Sequence, residues 1–193
     1  ERWFGGKGPS GYLIEWEAGG FGMRVDSLSA QSISFPYDSV MNTGDEATIE
    51  FWVKGNSPDP TSNVTTVRWE DSQEHKQMTV YGDGRIVIVY AWDLWKPYLT
   101  TVSPGRVPMD SEWHHVAFCH QSGGRYEVYI DGRLGGAGSD LWNPRVINSQ
   151  VAPTRIEGSA NGDMFIDEVR WSNTVRYSQP FETVRRFESD PST

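Results

Sequence analysis

A chain of 193 residues is long enough for one domain with a buried core, and its 17 Lys+Arg against 26 Asp+Glu leave a formal net charge of −9. Such a chain has no overall attraction for phosphate backbones or anionic lipid, and no apolar run approaches the roughly 20 residues of a membrane span, so nucleic acid and membrane insertion are set aside. The single cysteine excludes an intrachain disulfide and any CxxC metal or redox site, while 9 Trp, 8 Tyr and 8 Phe beside 20 Gly and 11 Pro exclude a disordered chain and point to an all-β domain rich in turns. The first residue is Glu rather than Met, which reads as a fragment or a processed product.

In chain order, the Gly-rich stretch 1–30 is irregular, with short strands expected around 12–16 and 22–25. Alternation begins at 31–35 (QSISF) and is strong at 47–54 (ATIEFWVK), where Ile49, Phe51 and Val53 share one face and Thr48, Glu50 and Trp52 the other. The Pro/Ser-rich stretch 56–63 reads as an exposed loop. Strands follow at 64–69 and 76–81, and Gly82-Asp83-Gly84 links the second to 85–91 as a hairpin. Two more, 113–120 (WHHVAFCH) and 125–130 (RYEVYI), flank a loop at 121–124. Asp131-Gly132 then offers a two-residue turn into 133–136, because Gly, Asn and Asp tolerate positive φ cheaply. Strands at 154–157 and 164–171 close the series, with a short helix expected at 180–187. Roughly ten to twelve short strands with turn signals every 8–12 residues indicate one sandwich or barrel spanning 1–193.

Four segments in one order are similar to a known family: ATIEFWV (47–53), WHHVA (113–117), YIDGR (129–133) and IDEVR (166–170), the last followed by Val175-Arg176-Tyr177 and Pro180-Phe181. The chain resembles the laminin G-like, concanavalin A-like domains over about residues 28–181, and within them the bacterial and phage subgroup. The resemblance implies an all-β, two-sheet antiparallel jelly-roll β-sandwich, with ligands on a concave face or on the rim loops. It also implies that the WHH segment serves the core, as in non-enzymatic members.

Relatives of this fold include glycoside hydrolases and polysaccharide lyases, and a retaining hydrolase needs two carboxylates about 5–5.5 Å apart. Glu15-Trp16-Glu17 has the alternating spacing but lies where the strand pattern is poorest, and Asp167 and Glu168 are adjacent and face opposite ways. Glu70, Asp71 and Glu74 do not alternate on one strand, and no G-x-S-x-G elbow occurs. The expectation is a non-enzyme.

Aromatic stacking on sugar is the chemistry the chain is best supplied for. The segment 90–98 reads YAWDLWKPY: Trp92, Trp95 and Tyr98 offer flat faces to a pyranose ring, and Asp93 and Lys96 offer hydrogen bonds to its hydroxyls. Trp142 and Asn143 in DLWNPR (140–145) repeat the pattern, and Trp69 beside Glu70 and Asp71 is a further candidate. The alternative is that Trp92 and Trp95 cap the ends of the sandwich. Trp52, Trp113 and Trp171 lie in regular strands and are assigned to the fold.

Asp163 and Asp167 are the metal candidates, for calcium, since the chain is acidic, Asn161-Gly162-Asp163 is a turn sequence, and similar domains carry a structural calcium at a sandwich edge. Asp167 alternates with Phe165, Val169 and Trp171, so a buried carboxylate is expected there, with a cation, Arg170 or a loop amide as partner. Cys119 shares parity with His115 and Ala117 and reads as a small buried hydrophobe. Asn63-Val64-Thr65 fits the N-glycosylation pattern. The resulting expectation is a non-catalytic, lectin-like module binding glycan or polysaccharide. Its setting would be a secreted polysaccharide-processing enzyme, a surface adhesin or a phage tail protein, alongside other domains of that protein. A structural or protein-interaction domain without a sugar site is the alternative, and a polysaccharide hydrolase or lyase the third.

Overall fold

The computed structural model describes residues 16–17, 20–21, 23–25, 32–35, 46–56, 63–70, 75–93, 96–139, 154–158 and 163–184. All regular structure among them is strand. Four short strands come first: β1 (Trp16–Glu17), β2 (Gly20–Phe21), β3 (Met23–Val25) and β4 (Ser32–Phe35). Then follow β5 (Ala47–Asn56), β6 (Asn63–Glu70), β7 (His75–Tyr81), β8 (Arg85–Asp93) and β9 (Lys96–Arg106). The series ends with β10 (Trp113–Gln121), β11 (Arg125–Ile130), β12 (Arg133–Ser139), β13 (Thr154–Gly158) and β14 (Asp163–Ser172).

Apart from the β1–β2 pair, the strands form two six-stranded sheets, here called the first sheet (β12-β11-β10-β5-β14-β3) and the second sheet (β4-β13-β6-β7-β8-β9). Every pairing among the described residues is antiparallel. The sheets pack face to face as a jelly-roll β-sandwich. Alternation decides which residues enter the core: Ile49, Phe51, Val53, Val116, Phe118 and Val128 from the first sheet meet Val67, Met78, Val80, Ile86, Ile88 and Ile156 from the second. Edge strands β9 and β12 close one side. A Cβ on Gly105 would come within 2.7 Å of the Gly135 Cα, so glycine is what allows the two backbones to touch.

The structure departs from the sequence expectations at three places. Residues 96–106 form β9, an edge strand that Pro97 and Pro104 hide in the sequence; an edge tolerates proline because one side of the strand needs no N–H donor. Residues 180–184 are not helical, and 185–187 lie outside the described residues, as do 57–62 of the expected loop. The Phe181 N–H donates to the Gly132 carbonyl (2.9 Å), so the chain is tied across to a neighbouring turn rather than to its own preceding carbonyls. Third, the alternation of Asp167 with Trp171 is broken. Asp167 stands opposite Trp52 and Arg170 opposite Glu50, so Glu168 and Val169 together oppose Phe51 alone: a β-bulge, with Glu168 at φ 50°. The bulge turns Arg170 to the outer face and Trp171 into the core.

Candidate functional site

Connectivity brings the sequence-predicted ligand residues toward one end of the sandwich. Trp92 and Asp93 finish β8, Lys96 and Tyr98 begin β9, and Asp93 pairs with Lys96. Trp95 lies outside the described residues, and the side chains of the other four do too. Trp69 pairs with Lys76, and His75 with both Glu70 and Ala91, so β6, β7, β8 and β9 all turn at this end. The segment with Trp142 and Asn143 is itself outside the described residues, but both its anchors are placed. It ends at Thr154, the residue before the Arg155–Arg68 pair, which is the same end of the second sheet. It leaves from Ser139 of β12. Gly136 approaches Ser103 and Pro104, and Gly135 approaches Gly105, so β12 and β9 run antiparallel past each other. The end where β12 leaves is therefore the end where β9 begins.

The first sheet's outer face is occupied by the chain itself. Residues 173–184 cross it as a strap, and beneath lies a polar cluster that the sequence analysis did not find. Glu50 is fully buried. Its Oε2 lies 3.0 Å from His115 Nε2 and accepts the Tyr177 hydroxyl (2.9 Å), while its Oε1 accepts Arg170 Nε (2.8 Å). Burial alone would raise the Glu50 carboxyl, but the bonds from His115 and Arg170 outweigh it and hold the group below its ordinary value. Thr48 Oγ1 donates to the Thr174 carbonyl (2.8 Å) and accepts the Arg176 N–H (2.9 Å), and Trp52 Nε1 donates to the Val184 carbonyl (3.1 Å). Tyr177 and Phe181 stack at 3.5 Å and 7° over Ala117, Cys119 and Tyr129. Burial, reinforced by the Glu50 carboxylate, pushes the Tyr177 hydroxyl up, so it stays a neutral donor.

Cys119, His115 and Glu50 could suggest a nucleophile with its base. However, all three are 0–1% exposed, and burial pushes the Cys119 thiol up to about 12. A protonated thiol under a stacked aromatic lid is not a nucleophile. The cluster's chemistry is that of a latch. All four motifs that carry the family resemblance supply it or its docking turn: Glu50 from the first, His115 from the second, Asp131-Gly132 from the third, Arg170 from the fourth, with Tyr177 and Phe181 beyond. The signal available in the sequence was a glutamate between Thr48 and Trp52 on the second face of a strand whose first face is Ile49, Phe51 and Val53.

His114, facing away from His115, bridges two carboxylates: Nδ1 to Asp131 Oδ2 (2.8 Å) and Nε2 to Asp110 Oδ1 (3.0 Å). Burial pulls the imidazole down, but the bonds to Asp131 and Asp110 outweigh it and leave it above its ordinary value. It thereby ties the 107–112 connection to the turn that receives the strap.

Of the metal candidates, Asp163 starts β14 opposite Asn56 and its side chain lies outside the described residues. Asp167 stands about 13 Å further along the strand, and its Oδ1 accepts the Glu168 N–H (2.9 Å). Asp167 is half-buried rather than buried, a main-chain amide is one of its partners, and Arg170 goes to Glu50. Among the described residues no three His, Cys, Asp or Glu side chains converge as a metal site.

Two antiparallel six-stranded sheets, with a strap across one outer face and the strand ends of the predicted aromatics at one end, define a jelly-roll β-sandwich. The chain belongs to the laminin G family of the concanavalin A-like lectin/glucanases superfamily, whose model matches residues 27–179. Solved structures of the same fold include three binding domains. The binding domain of Paraclostridial Mosquitocidal Protein 1 has TM-score 0.67 and 15% identity over 87% of this chain and 44% of that one. The Botulinum neurotoxin serotype G binding domain has TM-score 0.64 and 15% identity over 87% and 42%. The Ruminococcus gnavus IT-sialidase CBM40 has TM-score 0.59 and 11% identity over 81% and 91%. The chain thus spans less than half the length of the two toxin binding domains. No curated protein matches it in sequence.

Proposed function

We propose that this domain is a non-catalytic, lectin-like module that binds glycan or polysaccharide at the end of the sandwich bearing the β8–β9 hairpin. The observation that carries the reading is the shared end. The strand ends holding Trp92, Asp93, Lys96 and Tyr98, and both anchors of the segment with Trp142 and Asn143, meet there. Stacking on Trp92, Trp95 or Trp142, with hydrogen bonds from Asp93, Lys96 and Asn143, is the mechanism proposed. The neighbours of this fold that are binding domains support a binding rather than a catalytic role, as does a latch that leaves Glu50, His115 and Cys119 out of reach of substrate. A secreted, cell-surface or virion location within a larger protein fits the single buried thiol. A structural calcium held by Asp163 or Asp167 is a separate proposal, based on the acidic charge and the turn sequence.

Affinity electrophoresis through a panel of polysaccharides tests the site. Retention by at least one polymer, lost in the Trp92→Ala/Trp95→Ala variant, is the expected result. Retention that survives both replacements rejects the site, and degradation of any polymer rejects the non-catalytic reading.

A further inference from the structure

A second polar device sits at the end of the sandwich opposite the β8–β9 hairpin, where β9 finishes at Arg106 and β10 begins at Trp113. His114 stands on β10 with Val53 of β5 opposite. Its charged neighbours come from two other segments: Asp110 from the 107–112 connection and Asp131 from the turn between β11 and β12. Glu112 and Arg133, next along those two segments, are exposed, and His115 faces the other way, toward Glu50. Each ring nitrogen of His114 lies on an oxygen of a different carboxylate, at 2.8 and 3.0 Å. An ionised carboxylate only accepts, so both nitrogens carry hydrogen and the ring is an imidazolium. A neutral ring has one N–H and holds one aspartate. Its other nitrogen turns a lone pair on the second carboxylate.

The two aspartates are not equally held. Asp131 also accepts the His115 N–H on Oδ1 (2.9 Å), and its own N–H donates to the His115 carbonyl (2.9 Å). Asp110 is 52% exposed, and its carboxylate otherwise holds the Glu112 N–H, two residues on in its own segment. The connection is strained as well. Ser111 sits at φ 70°, in the left-handed region that costs free energy to a residue other than glycine. Its N–H reaches the Gly55 carbonyl at 3.2 Å, the long end of the hydrogen-bond range. Met109 of the same segment packs against the core. We propose that His114 is a proton-operated catch: protonated, it holds the 107–112 connection closed on the end of the sandwich, and on losing its proton it keeps Asp131 and releases Asp110, so that the connection opens and uncovers Met109. The catch lies at the end away from the proposed glycan site and does not rest on that reading.

Peroxide oxidation of Met109, read by mass spectrometry, follows the open form. Nitrogen NMR of the histidine rings follows the proton. The closed form holds the His114 proton above the ordinary 6.5, so the Met109 rate should climb between 6.5 and the His114 midpoint, by up to about tenfold per pH unit, and then level off. Above the midpoint the ring should carry its hydrogen on Nδ1, donated to Asp131. Met78, fully buried in the core, should stay protected throughout. His114→Gln should remove the pH dependence of Met109 oxidation. Asp110→Asn keeps an acceptor without its charge, so it should move the His114 midpoint and the Met109 rise to lower pH together. Met109 oxidation that does not follow the His114 titration overturns the proposal. So does hydrogen on Nε2 of the neutral ring, a pH dependence that survives His114→Gln, or Met78 oxidised in step with Met109, which is global unfolding. If either variant fails to fold, the two curves of the parent protein decide.

Discussion

Arg170 Nη2 lies 2.7 Å from Glu50 Oε1, although the residues are 120 apart in the chain. The bulge at Glu168 and Val169 makes the meeting possible, since unbroken alternation would have sent Arg170 into the apolar core. Glu50→Gln would remove the buried carboxylate charge that faces Arg170, and breaking one side of a buried pair costs about 3–5 kcal/mol. Urea denaturation measures it, and a loss below about 1 kcal/mol would show that the pair does not hold the strap.

Stability should fall on both sides of a mid-acid plateau. Glu50 is held below its ordinary 4.5 in the fold, so its contribution is complete above that value and is lost as pH falls through the folded value. His114 is raised above its ordinary 6.5, so its contribution is complete below 6.5 and is lost as pH rises through the folded value. Melting temperature against pH should slope down in both directions. His114→Gln should flatten the alkaline slope, and also part of the acid one, because the His114 bond is the main cause that holds the Asp110 carboxyl below its ordinary value. An unchanged alkaline slope would assign it elsewhere.

Cys119 is the chain's single thiol and lies beneath the strap, so it reports strap opening. Ellman's reagent should react slowly with the native protein, because the thiol is buried and pushed up to about 12. Phe181→Ala should speed the reaction, since about 1.4 kcal/mol of lost packing makes an open state tenfold more populated. Equal rates would mean that the thiol is reached without lifting the strap.

Two glycines separate backbone strain from docking. Gly132 at φ 72° and Gly123 at φ 82° both occupy the left-handed region. A Cβ on Gly123 meets nothing within 4 Å, whereas one on Gly132 would collide with the Phe181 carbonyl. Gly123→Ala should cost about 1–2 kcal/mol from conformation alone. Gly132→Ala should cost clearly more and raise Cys119 reactivity, and equal costs would show that the strap does not depend on this turn.

For the calcium proposal, a melting temperature raised by added calcium and lowered by EDTA is expected, because a bound ion stabilises only the folded state. Indifference to both removes it.

Period-2 patterning and turn chemistry are local, which is why most strands from 47 onward, the 82–84 and 131–132 turns and the sandwich class could be read from residues alone. So could the core positions of Phe51, Val116 and Phe118, which follow from alternation wherever a strand is regular. What alternation cannot carry is an exception to itself. The bulge in β14 reverses the facing of Arg170 and Trp171, and the edge position of β9 makes its prolines acceptable. Both depend on which strand lies alongside, a property of the sheet and not of the segment. The strap is a tertiary product for the same reason. Tyr177 and Phe181 form no pattern until Ala117, Cys119 and Tyr129, distant in sequence, present an apolar floor and Glu50 presents an acceptor.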